Sequence, residues 1–267
     1  MKSFILLAIT ILTWNTHRMG DYKKPEQNEV LQYLLSQDAD VICLQEVEVF
    51  KSDRYLTLPE VREALSRKYR YSYIDFSKYD SWHQFGLMVW SKYPLINKQT
   101  LHYEWKGNLS NRCDIVVGKD TIRLINNHLE SYSFTHKDLE DFDNKHNYEG
   151  LKATYYRLKE KWERALPLRN AQARVVRQEI EASPYPVIVA GDFNSIALSY
   201  VYWHISRGLH DAWRSLHPWQ YGATCVHRGY GVRIDYIFSS DSLKPTDCAV
   251  IDTRGSDHKP VVATLEW

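Results

Sequence analysis

Short runs in which almost every side chain is apolar alternate along the chain with longer stretches in which apolar residues recur every three or four positions. The short runs are Ile9–Trp14, Val41–Glu46, Gly86–Trp90, Asp114–Val117, Ile122–Asn126, Val187–Ala190, Ile234–Phe238 and Val261–Leu265. They predict strands, and several are apolar on both faces, which predicts sheets covered on both sides. A helical stripe of Val30, Leu31, Leu34 and Leu35 follows Pro25, and one of Val61, Ala64 and Leu65 follows Pro59; proline suits a first helical turn. Tyr155 to Glu181 predicts a third helix, with Pro167 as a kink or break. Strands with helices between them predict a mixed α/β layered fold.

The stretch SYSFTHKDLEDFDNKHNYEG, Ser131 to Gly150, is polar, acid-rich and without period, and predicts a long surface loop of the kind that is often functional. No internal repeat or low-complexity linker divides the chain, so a single domain over residues 1–267 is expected.

Composition changes this picture in a few places. A chain of 267 residues that is 44% hydrophobic can bury a core without disulfide staples. The net charge of +1 provides no general pull toward nucleic acid, so any basic surface must be local. With 9 Trp and 19 Tyr there are aromatics enough for core and binding surfaces alike. The four cysteines form no CxxC pair, which argues against a zinc or redox motif. Cys43 and Cys113 have the settings of buried thiols, and a disulfide stays open. At the N-terminus, FILLAITIL has the length of a signal-peptide apolar region but is too short to span a bilayer. Its second half is expected to be the first strand, and residues 1–8 to include the remnant of an export or anchoring segment.

The chemistry gathers where the apolar runs stop. ILTWN ends at Asn15, with His17 and Arg18 just beyond; DVICLQE carries Glu46; IRLINNHLES carries Asn127 and His128. VIVAGDFNS carries Asp192 and Asn194, which would point the same way in an extended chain. RIDYIF carries Asp235, and GSDHKPVV carries Asp257 and His258 before the last strand. Strict alternation puts Glu46 on the face of Ile42 and Leu44, where a carboxylate is costly unless paired or metal-bound. Each residue alone has an ordinary explanation: turn former, structural histidine, salt-bridge partner or cap. Carboxylates, carboxamides and imidazoles recurring at strand ends, with no lysine or thiol cluster among them, form a donor set suited to a hard cation such as Mg²⁺ or Mn²⁺.

In order, TWN, LQEV, NHLES, GDFNS, RIDYIF and SDHKPV resemble the motifs of the endonuclease/exonuclease/phosphatase superfamily, and GLMVWSKYPL resembles its central strand and turn. The resemblance implies a four-layer αββα sandwich of two mainly antiparallel sheets flanked by helices, DNase I-like, with the site where strand ends of both sheets converge. It also implies residue roles. Glu46 is the main metal ligand, assisted by Asn15, and Asp257 is a second metal-site or histidine-supporting acid. Asp192 orients or deprotonates the attacking water, and Asn194 helps hold the phosphate. His258 binds the scissile phosphate with Asp235 as its orienting carboxylate, and His128 bonds the phosphate or aids the leaving group. Asn127 and Arg18 are expected to contribute to substrate binding.

The expected activity is Mg²⁺-dependent hydrolysis of a phosphodiester by in-line attack of water, with Mn²⁺ as a substitute. HLES is similar to tyrosyl-DNA phosphodiesterases, from which the chain departs at Tyr132, Ser133 and Phe193. A nucleic-acid substrate, a phospholipid or a small phosphate ester are the alternatives. Tyr79, Trp82, His83, Trp105 and the acidic loop are candidates for shaping that choice. An inert binding module and a two-carboxylate glycosidase are the competing classes; the first would have lost site groups, and the second has no need of Asn194, His128 and His258 together. A monomer is expected, exported or membrane-associated through its N-terminal segment.

Overall fold

The apolar runs pair into two six-stranded sheets packed face to face. The computed structural model describes all residues except 1–6, 102, 104–107, 133–147 and 228–229. The first sheet contains β1 (Ala8–Asn15), β2 (Val41–Phe50), β3 (Tyr71–Tyr79), β4 (His83–Ser91), β13 (Lys244–Val250) and β14 (Val261–Glu266), in the order β13-β14-β1-β2-β4-β3. The second contains β5 (Leu95–Leu101), β6 (Ser110–Val117), β7 (Asp120–His128), β8 (Val187–Asp192), β9 (Leu209–Asp211) and β12 (Asp235–Ser240), in the order β5-β6-β7-β8-β12-β9. A short hairpin, β10 (Cys225–His227) and β11 (Tyr230–Val232), stands beside them.

Each sheet has one parallel pair near its centre, β1 with β2 and β7 with β8, and antiparallel pairing elsewhere. Parallel strands finish at the same edge, and an antiparallel neighbour begins there. The ends of β1, β2, β7 and β8 and the starts of β12 and β14 therefore share one rim.

Alternation along β1 and β2 separates two cores. Ile9, Ile11, Val41 and Cys43 face the other sheet, where they meet Cys113, Ile115, Leu124, Ile188 and Ile237. Leu12, Trp14, Ile42 and Leu44 face outward and are covered by the helices Glu29–Ser36 and Leu58–Ser66 through Val30, Leu31, Leu34, Val61 and Leu65. On the far side Ile125, Val187, Val189 and Phe238 are covered by the helices Tyr148–Glu181 and Tyr200–Ser206. The layers are thus helices, sheet, sheet, helices, as the family resemblance implies.

The helix expected from Pro25 divides: Pro25–Gln27 is a 3₁₀ turn, and the α-helix opens at Glu29 because the Asn28 side chain accepts from Leu31 N at 2.8 Å. One helix runs from Tyr148 through Pro167 to Glu181. All four cysteines are free, and Cys43 and Cys113 are buried. Ala8–Asn15 forms the first strand, and the proposed export remnant lies mostly outside the described residues, as do Trp105 and the acidic loop between Tyr132 and Tyr148. No described helix is long and apolar enough to cross a membrane.

Candidate active site

The strand register alone brings the polar residues together. Asn15 pairs beside Gln45, one residue before Glu46; His128 pairs beside Asp192; Asp235 pairs with Asp192 from the other side. Asn15 Nδ2 then joins the sheets, donating to Glu46 Oε1 at 3.2 Å and to Asp192 Oδ2 at 2.9 Å. His258 Nδ1 lies 2.9 Å from Asp235 Oδ2, and its Nε2 lies 3.9 Å from Asp192 Oδ2. Ser256 fixes that histidine by accepting from His258 N at 3.0 Å while donating to Asn15 O at 2.7 Å.

Two local turns depart from simple strand geometry. Alternation would send Glu46 outward with Ile42 and Leu44, into the helix-covered core. Instead β2 shifts register between Leu44 and Val47, and Glu46 takes the left-handed region at φ 50°, so its carboxylate turns toward Asn15 and His128. Likewise the chain is not extended from Asp192 to Asn194. Strand β8 ends at Asp192, and Asn194, at φ 47°, donates its N–H back to Asp192 Oδ1 at 2.8 Å. The Asn194 carboxamide then reaches Leu129 O at 2.9 Å and Asp192 Oδ2 at 3.3 Å. Non-glycine residues held at positive φ gather at functional sites, where surrounding contacts sustain the strain.

A third such feature follows Asn15. His17, Arg18, Met19 and Gly20 have φ of 40°, 62°, 54° and 66°, a left-handed turn that costs roughly 1–2 kcal/mol per non-glycine residue. It is held by His17 N donating to Asn15 Oδ1, by Asn28 Nδ2 donating to Met19 O, and by full burial of Met19. The turn presents His17 to Asp257 at 3.3 Å and Arg18 to Tyr22 Oη at 2.9 Å and Glu48 at 3.8 Å.

The electrostatics follow from burial and crowding. Burial would raise the pKa of Glu46, but His128 and Asn15 outweigh it and hold the carboxyl at about 2. Burial, and next the Asp235 charge, push Asp192 up to about 6. Burial opposes charge on His258, yet Asp235 and Asp192 outweigh it and keep the imidazole protonated well above its ordinary range. For His128 the balance is similar, with Glu46 the main opposing charge. Its buried Nε2 lies 3.4 Å from Glu46 Oε1 but in hydrogen-bond geometry with no group among the described residues. A ligand atom from each of Asp192, Asp235 and His258 lies within 4.8 Å of the others. The ionised Glu46 and the neighbouring carboxylates make an oxygen-rich donor set that fits a hard divalent cation, to which Asn15 would add its Oδ1, the atom that here accepts from His17 N.

Other sequence candidates sit differently. Asn127 is buried and spends its side chain within the sheet, accepting from Ser110 Oγ at 2.9 Å and donating to Ala190 O at 3.2 Å. Asp257 is exposed beside His17, and it also stands close to Cys225 and His258. His83 bridges Asp80 at 3.0 Å and Glu48 at 3.5 Å, while Trp82 is exposed at the β3–β4 turn.

The structure also adds residues that sequence patterns did not single out. Gln45 Nε2 donates to Asn126 Oδ1 at 2.8 Å across the two sheets, a buried polar clamp beneath the site that was visible as amides inside apolar runs. Thr224 Oγ1 accepts from Asp235 N at 3.1 Å. Arg169 and Gln172, on one face of the long helix, hold the two loops that carry the site. Arg169 donates to Asn194 O and stacks on the Tyr132 ring at 3.8 Å, and Gln172 Oε1 accepts from Glu130 N at 2.8 Å.

The model of the Endonuclease/Exonuclease/phosphatase family matches residues 12–258. The chain belongs to this family. It is accordingly a hydrolase acting on phosphate esters. Among solved structures, an endonuclease/exonuclease/phosphatase from Beutenbergia cavernae DSM 12333 is similar at 18% identity and TM-score 0.68, over 97% of this chain and 71% of that one. Truncated Caenorhabditis elegans TDP2 is similar at 20% identity and TM-score 0.63, over 97% of each chain. Sphingomyelinase C from Streptomyces griseocarneus is similar at 16% identity and TM-score 0.60, over 97% of this chain and 99% of that one. At such identities the likeness is one of fold. Comparison with curated proteins gives no match.

Proposed function

We propose that the protein is a divalent-cation-dependent phosphodiesterase, using Mg²⁺ with Mn²⁺ as a substitute, that cleaves its ester by in-line attack of water. The observation that carries this reading is the link across the sheets: Asn15 bonds both Glu46 and Asp192, while His128 and His258 flank Asp192. Glu46 and Asn15 would hold the cation, which when bound neutralises charge on the phosphate and its departing oxygen.

The remaining chemistry belongs to the side chains. Asp192 receives a proton from the attacking water as the new P–O bond forms. Its raised proton affinity suits a base near neutral pH, and bonds from Asn15 to Oδ2 and from Asn194 N to Oδ1 fix the carboxylate. Protonated His258, backed by Asp235, donates to a phosphate oxygen where negative charge develops. His128 offers a buried donor at Nε2 to the phosphate or to the departing alcohol. One P–O bond forms, one breaks, and the products are a phosphomonoester and an alcohol.

The test is hydrolysis of bis-p-nitrophenyl phosphate with Mg²⁺ by the wild type, Asp192→Asn and His258→Asn, each checked for fold by circular dichroism. Turnover is expected to fall by roughly 10²–10⁴-fold in each folded variant. Unchanged turnover in folded Asp192→Asn overturns the assignment of the base.

A further inference from the structure

A collar of loops that expose large apolar side chains leads directly out of the site. The loop after Asn194 and the helix it enters expose Ile196, Leu198 and Tyr200, and Leu198 is 84% exposed. The connection through residues 217–224 exposes Tyr221 and Trp219, the latter 96% exposed; Tyr230 on the β10–β11 hairpin is 76% exposed. Large apolar side chains this open, grouped on adjoining loops, mark an interaction surface.

Hydrogen bonds tie these loops to one another and to the site. The Tyr236 hydroxyl donates to Arg233 O at 2.7 Å and lies 2.9 Å from Ser195 O, while Arg233 N donates to Tyr221 Oη at 3.4 Å. Thr224, which accepts from Asp235 N, pairs through its own N–H with Val232 O, and Cys225 bridges to His258. The collar is also built in advance. Gly222, at φ 65°, packs so closely on Trp213 that a Cβ would lie 2.3 Å from the ring, and Trp213 Nε1 donates to Gln220 O at 3.0 Å.

Charge selects the occupant. Residues 195–203 and 215–224 contain no Asp, Glu, Lys or Arg, in a chain that is 25% charged, and the hairpin segment 225–232 adds one arginine, Arg228. A polyanion requires cations along its track, and a single arginine among three segments does not make one. Tryptophan and tyrosine, apolar with one polar handle, suit the boundary between lipid headgroups and acyl chains.

We propose that the collar docks on the surface of a zwitterionic phospholipid membrane, so that the neighbouring site meets a phosphodiester of a lipid headgroup. This rests on the phosphodiesterase reading above for the chemistry, but not for the docking.

The experiment separates the two. Full-length wild type and a variant carrying Leu198→Ser, Trp219→Ser and Tyr230→Ser are cosedimented with phosphatidylcholine vesicles at low and high salt, and both are assayed on water-soluble bis-p-nitrophenyl phosphate. The N-terminal segment is common to both proteins and cancels. Vesicle binding is expected to persist at high salt and to weaken at least about tenfold in the variant, with soluble-substrate hydrolysis and thermal midpoint retained. Equal vesicle binding by the two proteins, no binding by the wild type, or binding abolished by salt overturns the docking proposal. So does a dimer in the wild type that the variant loses, which would assign the collar to a second copy. Collar-dependent vesicle binding without hydrolysis of either lipid or soluble ester would instead overturn the phosphodiesterase reading and leave the docking intact.

Discussion

Arg169 is fully buried, yet its Nε and Nη2 have no hydrogen-bond partners among the described residues, and its bond to Asn194 O is a link to the loop carrying Asp192 and Asn194. A buried cation so placed is costly unless it organises something. Arg169→Met is expected to lower kcat on bis-p-nitrophenyl phosphate by about tenfold or more, since a lost bond to a buried carbonyl is worth roughly 1–3 kcal/mol. Arg169→Lys should recover little, because lysine lacks the fork. Steady-state kinetics with circular dichroism checks both. Asp192 supports a second prediction. Burial and the Asp235 charge raise its pKa from an ordinary 3.8 to about 6, so the folded state holds the proton more tightly. In the metal-free protein, ionised Asp192 therefore destabilises progressively as pH rises past 3.8, with full effect above about 6. The thermal midpoint of metal-free Asp192→Asn, relative to wild type, should shift in the variant's favour between about pH 4 and about pH 8. At this scale the candidate site was legible wherever a polar residue bordered an apolar run, as with Asn15 and Asp192 at the end of one and His258 before another. Arg169 and Gln172 were not, since a polar residue on a long helix reads as solvent-facing until the neighbouring loops are in place. The direction of Glu46 was misread because a bulge leaves no signature in the alternation of β2.

The elements that hold the site are the two parallel pairs, and β7 with β8 depends on a close backbone approach. Gly191 lies at φ 129°, and a Cβ there would be 2.1 Å from Asn127 O. Gly118, at φ 61°, has open space around the same position. Gly118→Ala is expected to cost about 1 kcal/mol of stability from backbone conformation alone. Gly191→Ala should cost about 2 kcal/mol or more beyond that, as read by urea unfolding. Equal costs would show that the close approach is relieved cheaply. Central strands were legible in the sequence and edge strands were not. β3, β5, β9 and β13 all lie at sheet edges. An edge strand pairs on one side only and contributes little to the core. Along β5 and β13 most side chains are exposed or half-buried, and the apolar pattern that marks a strand is missing.

Over the whole molecule, the two sheets share one continuous apolar layer and a buried Gln45–Asn126 clamp. We propose accordingly that the chain unfolds as a single domain, as the sequence analysis expected. Calorimetry of the metal-free protein should give one transition, with the van't Hoff and calorimetric enthalpies equal; two separated transitions would contradict this. With all four cysteines free, reductant should leave that transition where it is. The central claim is that Glu46 and Asn15 hold a catalytic divalent cation at the meeting of the sheets. Its most direct test is a Mn²⁺ titration of metal-stripped wild type and Glu46→Gln, following bound cation by electron paramagnetic resonance and hydrolysis of bis-p-nitrophenyl phosphate together. Chelated protein is expected to be inactive, Mn²⁺ or Mg²⁺ to restore the wild type, and Glu46→Gln to need at least about tenfold more Mn²⁺ for both signals. Activity that survives chelation, or a Glu46→Gln curve that overlays the wild type, would contradict the account.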